Sequence, residues 1–143
     1  MTAGKMCFAY NVEGGNFSKA GYPSSQVKKT LKQLNVDGNV IKRTVVALYE
    51  AEVNIVAHAY KGTILVEIDT EKIYIRLVDE GPGIPDIPKA MEVGYSTATP
   101  EVREMGFGAG MGLSNMNSNA DKLTITSEVG KGTTVEIINY FLV

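Results

Sequence analysis

The 143-residue sequence predicts one α+β domain, a two-layer sandwich in which a mixed, mostly antiparallel sheet carries helices on one face. Three observations lead there. Residues 63–69 and 72–79 alternate apolar and polar side chains, the period of a half-covered strand, and only Thr70-Glu71 separates them. Residues 121–127 and 133–140 repeat that arrangement around Val129-Gly130-Lys131-Gly132. Helical patterns are interleaved with these hairpins, so the helices have a sheet face to cover.

Each element follows from local chemistry. Residues 6–12 read as a short strand ended by Gly14-Gly15. Residues 24–35 read as a helix with Ser24 or Ser25 as N-cap and Val27, Leu31 and Leu34 on one face. Asp37 or Asn39 can cap a second, longer helix over about 39–59, which stops near Gly62. In the first hairpin, Ile64, Val66 and Ile68 face the same side as Ile73, Ile75 and Leu77. After Asp79 the texture changes: residues 80–112 are rich in glycine and proline, with Pro82, Pro85 and Pro88 close together. That is too long for an idle connection and marks a candidate functional loop. A helix is expected at about 111–119, before the second hairpin.

Composition narrows the function. Hydrophobic residues make up 44% and charged residues 21%, as in globular domains, and the formal net charge is −2. A nucleic-acid binder needs clustered cations to neutralise phosphates. Five basic residues fall between Lys28 and Arg43, but other residues separate them, and they read as solvated helix faces. No nucleic-acid partner is expected. The single cysteine, Cys7, allows no internal disulfide and reads as a small core filler. The first twenty residues lack the layout of a signal peptide, and no apolar run approaches the roughly 20 residues that span a bilayer. The expected address is the cytoplasm, without a membrane.

The candidate site starts on the long helix. Glu50 and Asn54 are four residues apart, about 40° around the axis and one turn along it. Val46, Ala47 and Ala57 share their face, while Ile41, Val45, Leu48 and Ile55 lie opposite. A helix apolar on both sides should be sandwiched, leaving the two polar groups in need of partners. Asp79-Glu80-Gly81-Pro82-Gly83-Ile84 stands at a strand end, where a carboxylate can accept from an exocyclic amine and glycines allow close backbone approach. Gly106-Phe107-Gly108-Ala109-Gly110-Met111-Gly112-Leu113 leads into a helix, whose unpaired N–H groups favour an anion such as phosphate. No Lys-Ser/Thr follows the glycines, so the box is not a P-loop.

The order Glu50-x-x-x-Asn54, Asp79-x-Gly81-x-Gly83, Gly108-x-Gly110-x-Gly112-Leu113 and Gly130-x-Gly132-Thr133 resembles the Asn box and three glycine boxes of Bergerat-fold (GHKL) ATPases. The resemblance implies an ATP site formed by Asn54, Asp79, Gly81, Gly83, Ile84, Gly108, Ala109, Gly110, Met111, Gly112, Leu113 and Thr133. It implies that Asn54 supplies an oxygen to Mg²⁺, that Asp79 binds the adenine amine, and that residues 86–107 form a lid over the phosphates. Lys89 and Arg103 are lid cations that could reach them.

Sensor histidine kinases of this class usually have Asn where Glu50 stands. Leu48-Tyr49-Glu50-Ala51, Asn54, His58-Ala59-Tyr60 and the Asp79–Ile84 string are most similar to the anti-sigma-factor serine/threonine kinases. That likeness implies a homodimer with Glu50 as catalytic base. It implies phosphorylation of a STAS-domain anti-anti-sigma protein and, in many members, a sigma factor as competing partner. Two other readings stay open: an ATP-dependent binding module without phosphotransfer, and the detached ATPase domain of a histidine kinase. His58 is expected to be structural. Ser114-Asn115-Met116-Asn117-Ser118-Asn119 departs from relatives, which tend to be more apolar or basic there.

Overall fold

The computed structural model describes residues 5–92 and 112–141. The elements run β1 (Met6–Glu13), α1 (Tyr22–Gln33), α2 (Gly38–His58), β2 (Lys61–Ile68), β3 (Lys72–Glu80), α3 (Ile87–Ala90), α4 (Gly112–Asn119), β4 (Lys122–Glu128) and β5 (Gly132–Tyr140). The five strands form one sheet in the order β1-β2-β3-β5-β4. Every pairing is antiparallel, so the expected mixed character resolves to a purely antiparallel sheet.

The register follows the period-two pattern. Ile64 pairs with Leu77, Val66 with Ile75 and Ile68 with Ile73, and Ile75 pairs onward with Ile137. All seven side chains are buried on the helix-bearing face. Each large apolar side chain contributes about 1.5–3 kcal/mol on burial, so this face is the main source of cohesion. The β2–β3 turn is closed by Asp69, whose Oδ1 accepts from the backbone N–H of Glu71 and Lys72 at 2.7 and 2.9 Å.

Helix α1 starts earlier than expected, at Tyr22, behind Gly21 in the left-handed conformation (φ 96°) and with Pro23 in its first turn. Ser24 is therefore inside the helix, and its hydroxyl donates back to the Gly21 carbonyl. Val27 and Leu31 are buried as expected, but Leu34 is not: it ends the helix and is 44% exposed. The chain turns there through Asn35 (φ 58°), with Asn35 N–H donating to Lys32 O and Val36 N–H to Leu31 O. This Schellman pattern uses asparagine where glycine is commoner. Asp37 then caps α2, its carboxylate accepting from Asn39 N–H at 3.0 Å.

Helix α2 is the hub, packed between the sheet, α1 and α4. Ile41, Leu48, Ala51 and Ile55 are buried within the main core, while Val45 and Val46 stay partly exposed. Residues 87–90 form a short helix, α3, where only loop was expected; Asp86 caps it by accepting from Lys89 N–H, and Pro88 lies in its first turn. Cys7 is exposed on the sheet rather than filling the core.

Candidate functional site

Glu50 and Asn54 project from α2 toward the start of α4. The Gly112 Cα stands so close that a Cβ there would meet Asn54 Oδ1 at 3.2 Å and Glu50 Oε2 at 3.4 Å. The glycine thus keeps open a small space that any other side chain would fill. Asn115, one turn further along α4, donates from Nδ2 to Glu50 Oε1 at 3.4 Å. The Asn/Ser-rich stretch that looked anomalous in sequence therefore supplies a partner for the acidic residue of the site.

A buried polar network fixes this helix pair. Asn139, fully buried on β5, donates to Thr44 Oγ1 on α2 and to the Asn119 carbonyl at the end of α4, both at 3.0 Å. Its Oδ1 accepts from Asp121 N–H at 2.7 Å, and Asp121 in turn pairs with Arg43 at 3.1 Å. Satisfied networks of this kind specify one arrangement, because separating the helices would strand buried polar atoms.

The second half of the site is a pair of turns joined to each other. Asp79 lies on the helix side of β3, and its Oδ1 accepts from Thr133 N–H at 3.0 Å. Gly81 N–H donates to Lys131 O and Gly130 N–H to Pro82 O, both at 2.9 Å. Ile84 N–H donates to Ser127 Oγ at 2.7 Å, and Ser127 and Thr133 hydroxyls are 2.8 Å apart. Glycine is required here by contact: a Cβ on Gly81 would meet Ala59 Cα at 2.9 Å, and Gly83 (φ 79°) lies against the Glu128 carbonyl. Burial raises the Asp79 carboxyl above its ordinary range, and the Thr133 N–H partly opposes that shift.

Of the site residues expected from sequence, Glu50, Asn54 and Gly112 come together, and Asp79, Gly81, Gly83, Ile84 and Thr133 form the linked turns. Leu113 is in the core, 7% exposed, so its side chain is packing rather than lining. Gly108, Ala109, Gly110, Met111 and Arg103 lie outside the described residues. Lys89 is exposed on α3. His58 is partly buried at the end of α2, and that burial holds its imidazole below the ordinary range. Three contributors escaped the sequence reading: Asn115, Ser127 and Glu52.

Glu52 is almost fully buried at 1% exposure, and its carboxylate accepts from the backbone N–H groups of Gly21 and Ser24 at the start of α1. Burial raises its pKa, and those two hydrogen bonds pull in the other direction. It is an N-cap supplied by another helix, and no local spacing announces it.

The residues present fit a nucleotide with its metal: a cradle kept open by Gly112, an amide oxygen and a carboxylate beside it, and a half-buried carboxylate at the linked turns. Among the described residues no cluster of three or more His, Cys, Asp or Glu could hold a metal by itself. Magnesium bound largely through phosphate oxygens and water needs no such cluster. No helix of the described residues is long and apolar enough to cross a membrane.

Comparison with known proteins converges on the same class. Residues 39–140 match the family described as histidine kinase-, DNA gyrase B-, and HSP90-like ATPase. The chain is 39% identical over 99 residues to an anti-sigma F factor of Thermoanaerobacter, a match that spans 66% of this chain and 66% of that protein. It is 35% identical over 102 residues to the serine/threonine-protein kinase RsbT of Bacillus subtilis, covering 68% of this chain and 71% of the relative. An anti-sigma F factor of Clostridium botulinum is 33% identical over 117 residues, 78% of each chain. In fold it is similar to a crystal structure of the RsbU and RsbW domains of a Mycobacterium tuberculosis protein, with TM-score 0.62 at 13% identity over 94% of this chain and 32% of that one. The chain belongs to the histidine kinase-, DNA gyrase B- and HSP90-like (GHKL) ATPase family, and within it is similar to anti-sigma F factors and to the serine/threonine-protein kinase RsbT.

Proposed function

We propose that this protein is an ATP-dependent serine/threonine kinase of a partner-switching pathway, acting on a STAS-domain antagonist protein. The observation that carries the reading is the placement of Glu50 and Asn54 together against the Gly112 cradle. A family ATP site needs the amide, and a phosphotransfer site has a use for a carboxylate beside it.

Mg·ATP, when bound, supplies the transferable phosphoryl group and the charge neutralisation that its transfer requires. Glu50 accepts the proton of the attacking serine or threonine hydroxyl, a contribution typically worth about 10²–10⁴-fold in rate. Asn115 orients that carboxylate through its hydrogen bond to Oε1. Asn54 offers its amide oxygen to the metal. Asp79 accepts from the adenine amine, and Thr133 holds Asp79 in place from the adjoining strand. The N–H groups at the start of α4 add the partial positive charge of a helix N-terminus for the phosphates.

The test is transfer of label from Mg·[γ-³²P]ATP to STAS-domain proteins encoded near this one, with Glu50→Ala in parallel. Label on a serine or threonine, lost in the variant while ATP still binds, supports the kinase and its base together. ATP binding with no label on any STAS protein would favour a nucleotide-gated binding module, and label on a histidine would favour a histidine-kinase ATPase domain.

A further inference from the structure

Away from the nucleotide site, α1 and α2 enclose a groove of about 360 Å³. Its floor is Ile41, Val45 and Val46 of α2, and its rim is Lys28 and Lys32 of α1 with Lys42 of α2. Lys28 and Lys32 stand one helical turn apart, so their ammonium groups line one wall. In sequence these cations look scattered; the antiparallel packing of α1 on α2 gathers them around an apolar strip. The three lysines are exposed, and among the described residues none of them has an ion-pair partner; the pairs there use Lys5, Arg43, Lys61, Lys72 and Lys131.

We infer that this groove docks an acidic, amphipathic segment of a protein partner, with carboxylates on the Lys28–Lys32–Lys42 rim and apolar side chains on the Ile41–Val45–Val46 floor. The chemistry separates this occupant from others. Small-molecule pockets run from about 300 to 1,000 Å³, so this groove sits at the small end and suits a few anchoring side chains of a longer ligand. Nucleic acid gains its affinity from many phosphate contacts and has no use for an apolar floor. A flat bilayer surface cannot enter a concave groove. An amphipathic helix or extended segment satisfies both halves, as in helix-in-groove recognition. The inference does not depend on the nucleotide reading, since the groove shares no residue with that site.

The experiment is panning of a random peptide display library on the wild-type chain, with Lys28→Glu/Lys32→Glu/Lys42→Glu as counter-target. Selected peptides are then measured by fluorescence anisotropy at 50 and 300 mM NaCl against both proteins. All three lysines are exposed, so the variant should fold; an unchanged circular dichroism spectrum and thermal midpoint verify it. The expected peptides combine Asp or Glu with apolar residues at helical or alternating spacing, bind at least tenfold more weakly to the variant, and weaken with salt. They should also shift the methyl resonances of Ile41, Val45 and Val46. Failure to enrich such peptides, equal binding to the charge-reversed variant, or methyl shifts elsewhere would overturn the proposal. So would tighter binding of a single-stranded oligonucleotide or of phosphatidylglycerol vesicles than of any selected peptide.

Discussion

Replacing Glu52 by alanine removes the acceptor of two backbone N–H groups, those of Gly21 and Ser24, and leaves the first turn of α1 uncapped. A stranded buried donor costs about 1–3 kcal/mol, so the pair gives about 2–6 kcal/mol. Gly21 is only partly buried and can recruit water, which places the expected loss at about 2–4 kcal/mol. Urea denaturation followed by circular dichroism measures it. With a slope of about 2 kcal/mol per molar urea, the middle of the usual range, the midpoint should fall by roughly 1–2 M. Glu52→Gln keeps one acceptor oxygen and should lose less than half as much. Hydrogen exchange adds a local readout, since the amides of Gly21 and Ser24 should lose protection first in Glu52→Ala. The ionisation has a definite sign. Burial raises the folded pKa, so the stability linked to the neutral carboxyl is complete below the ordinary carboxylate pKa of about 4.3 and is lost as pH rises through the folded value. Wild-type stability measured against Glu52→Gln should therefore be highest near pH 4 and decline toward neutrality. A Glu52→Ala variant within about 0.5 kcal/mol of wild type, the range of ordinary surface substitutions, would refute the account of α1 as capped from α2.

Three further outcomes test the site and its surroundings. Asp79→Asn keeps an oxygen for Thr133 N–H while removing a charge that burial disfavours, so its thermal midpoint should equal or exceed wild type. Its ATP affinity, read by titration calorimetry, should fall by at least tenfold, in line with about 1.5–3 kcal/mol for a hydrogen bond to a charged group. Gly112→Ala puts a methyl group 3.2 Å from Asn54 Oδ1. It should lower ATP affinity or phosphotransfer by about tenfold or more, a loss of about 1.4 kcal/mol, without lowering the melting temperature, because alanine favours helix. Burial lowers the His58 pKa, so its contribution is complete above the ordinary value of about 6.5 and is lost as pH falls through the folded value. His58→Gln should lack that component, so the melting temperature of wild type minus variant should shrink between pH 7.5 and pH 5.

Most of the fold was legible because the strongest signals are local. The alternation of Ile64–Ile68 and Ile73–Leu77 set both the hairpin and its buried face, and of the two caps offered for α2, Asp37 and Asn39, Asp37 takes the place. Local reading failed where a distant group decides. Ser24 has the chemistry of an N-cap, but α1 begins at Tyr22, behind Gly21, because Glu52, 28 residues beyond Ser24, takes the N–H groups that a local cap would take. Leu34 has the spacing of a core residue, yet the turn through Asn35 ends the helix before its face is covered. In the site, the glycines and the Glu50–Asn54 spacing were visible as pattern. The joining of the Asp79–Ile84 turn to the β4–β5 turn was not, since β5 must first pair with β3 to bring Thr133 beside Asp79. Asn115 was visible only as an oddity until α4 packed on α2.

The stitched turns also decide where this chain can be engineered. Exposed turns usually accept insertions and labels, and Val129, 66% exposed, would nominate the β4–β5 connection for a reporter graft. That connection is poor ground, because Gly81, Pro82, Ile84 and Asp79 hold it through backbone, hydroxyl and carboxylate hydrogen bonds. A tag placed there would disturb residues some fifty positions upstream as directly as a mutation among them. The Thr70-Glu71 turn, at the other end of β3 from Asp79, offers a graft point that leaves both sides of that seam intact.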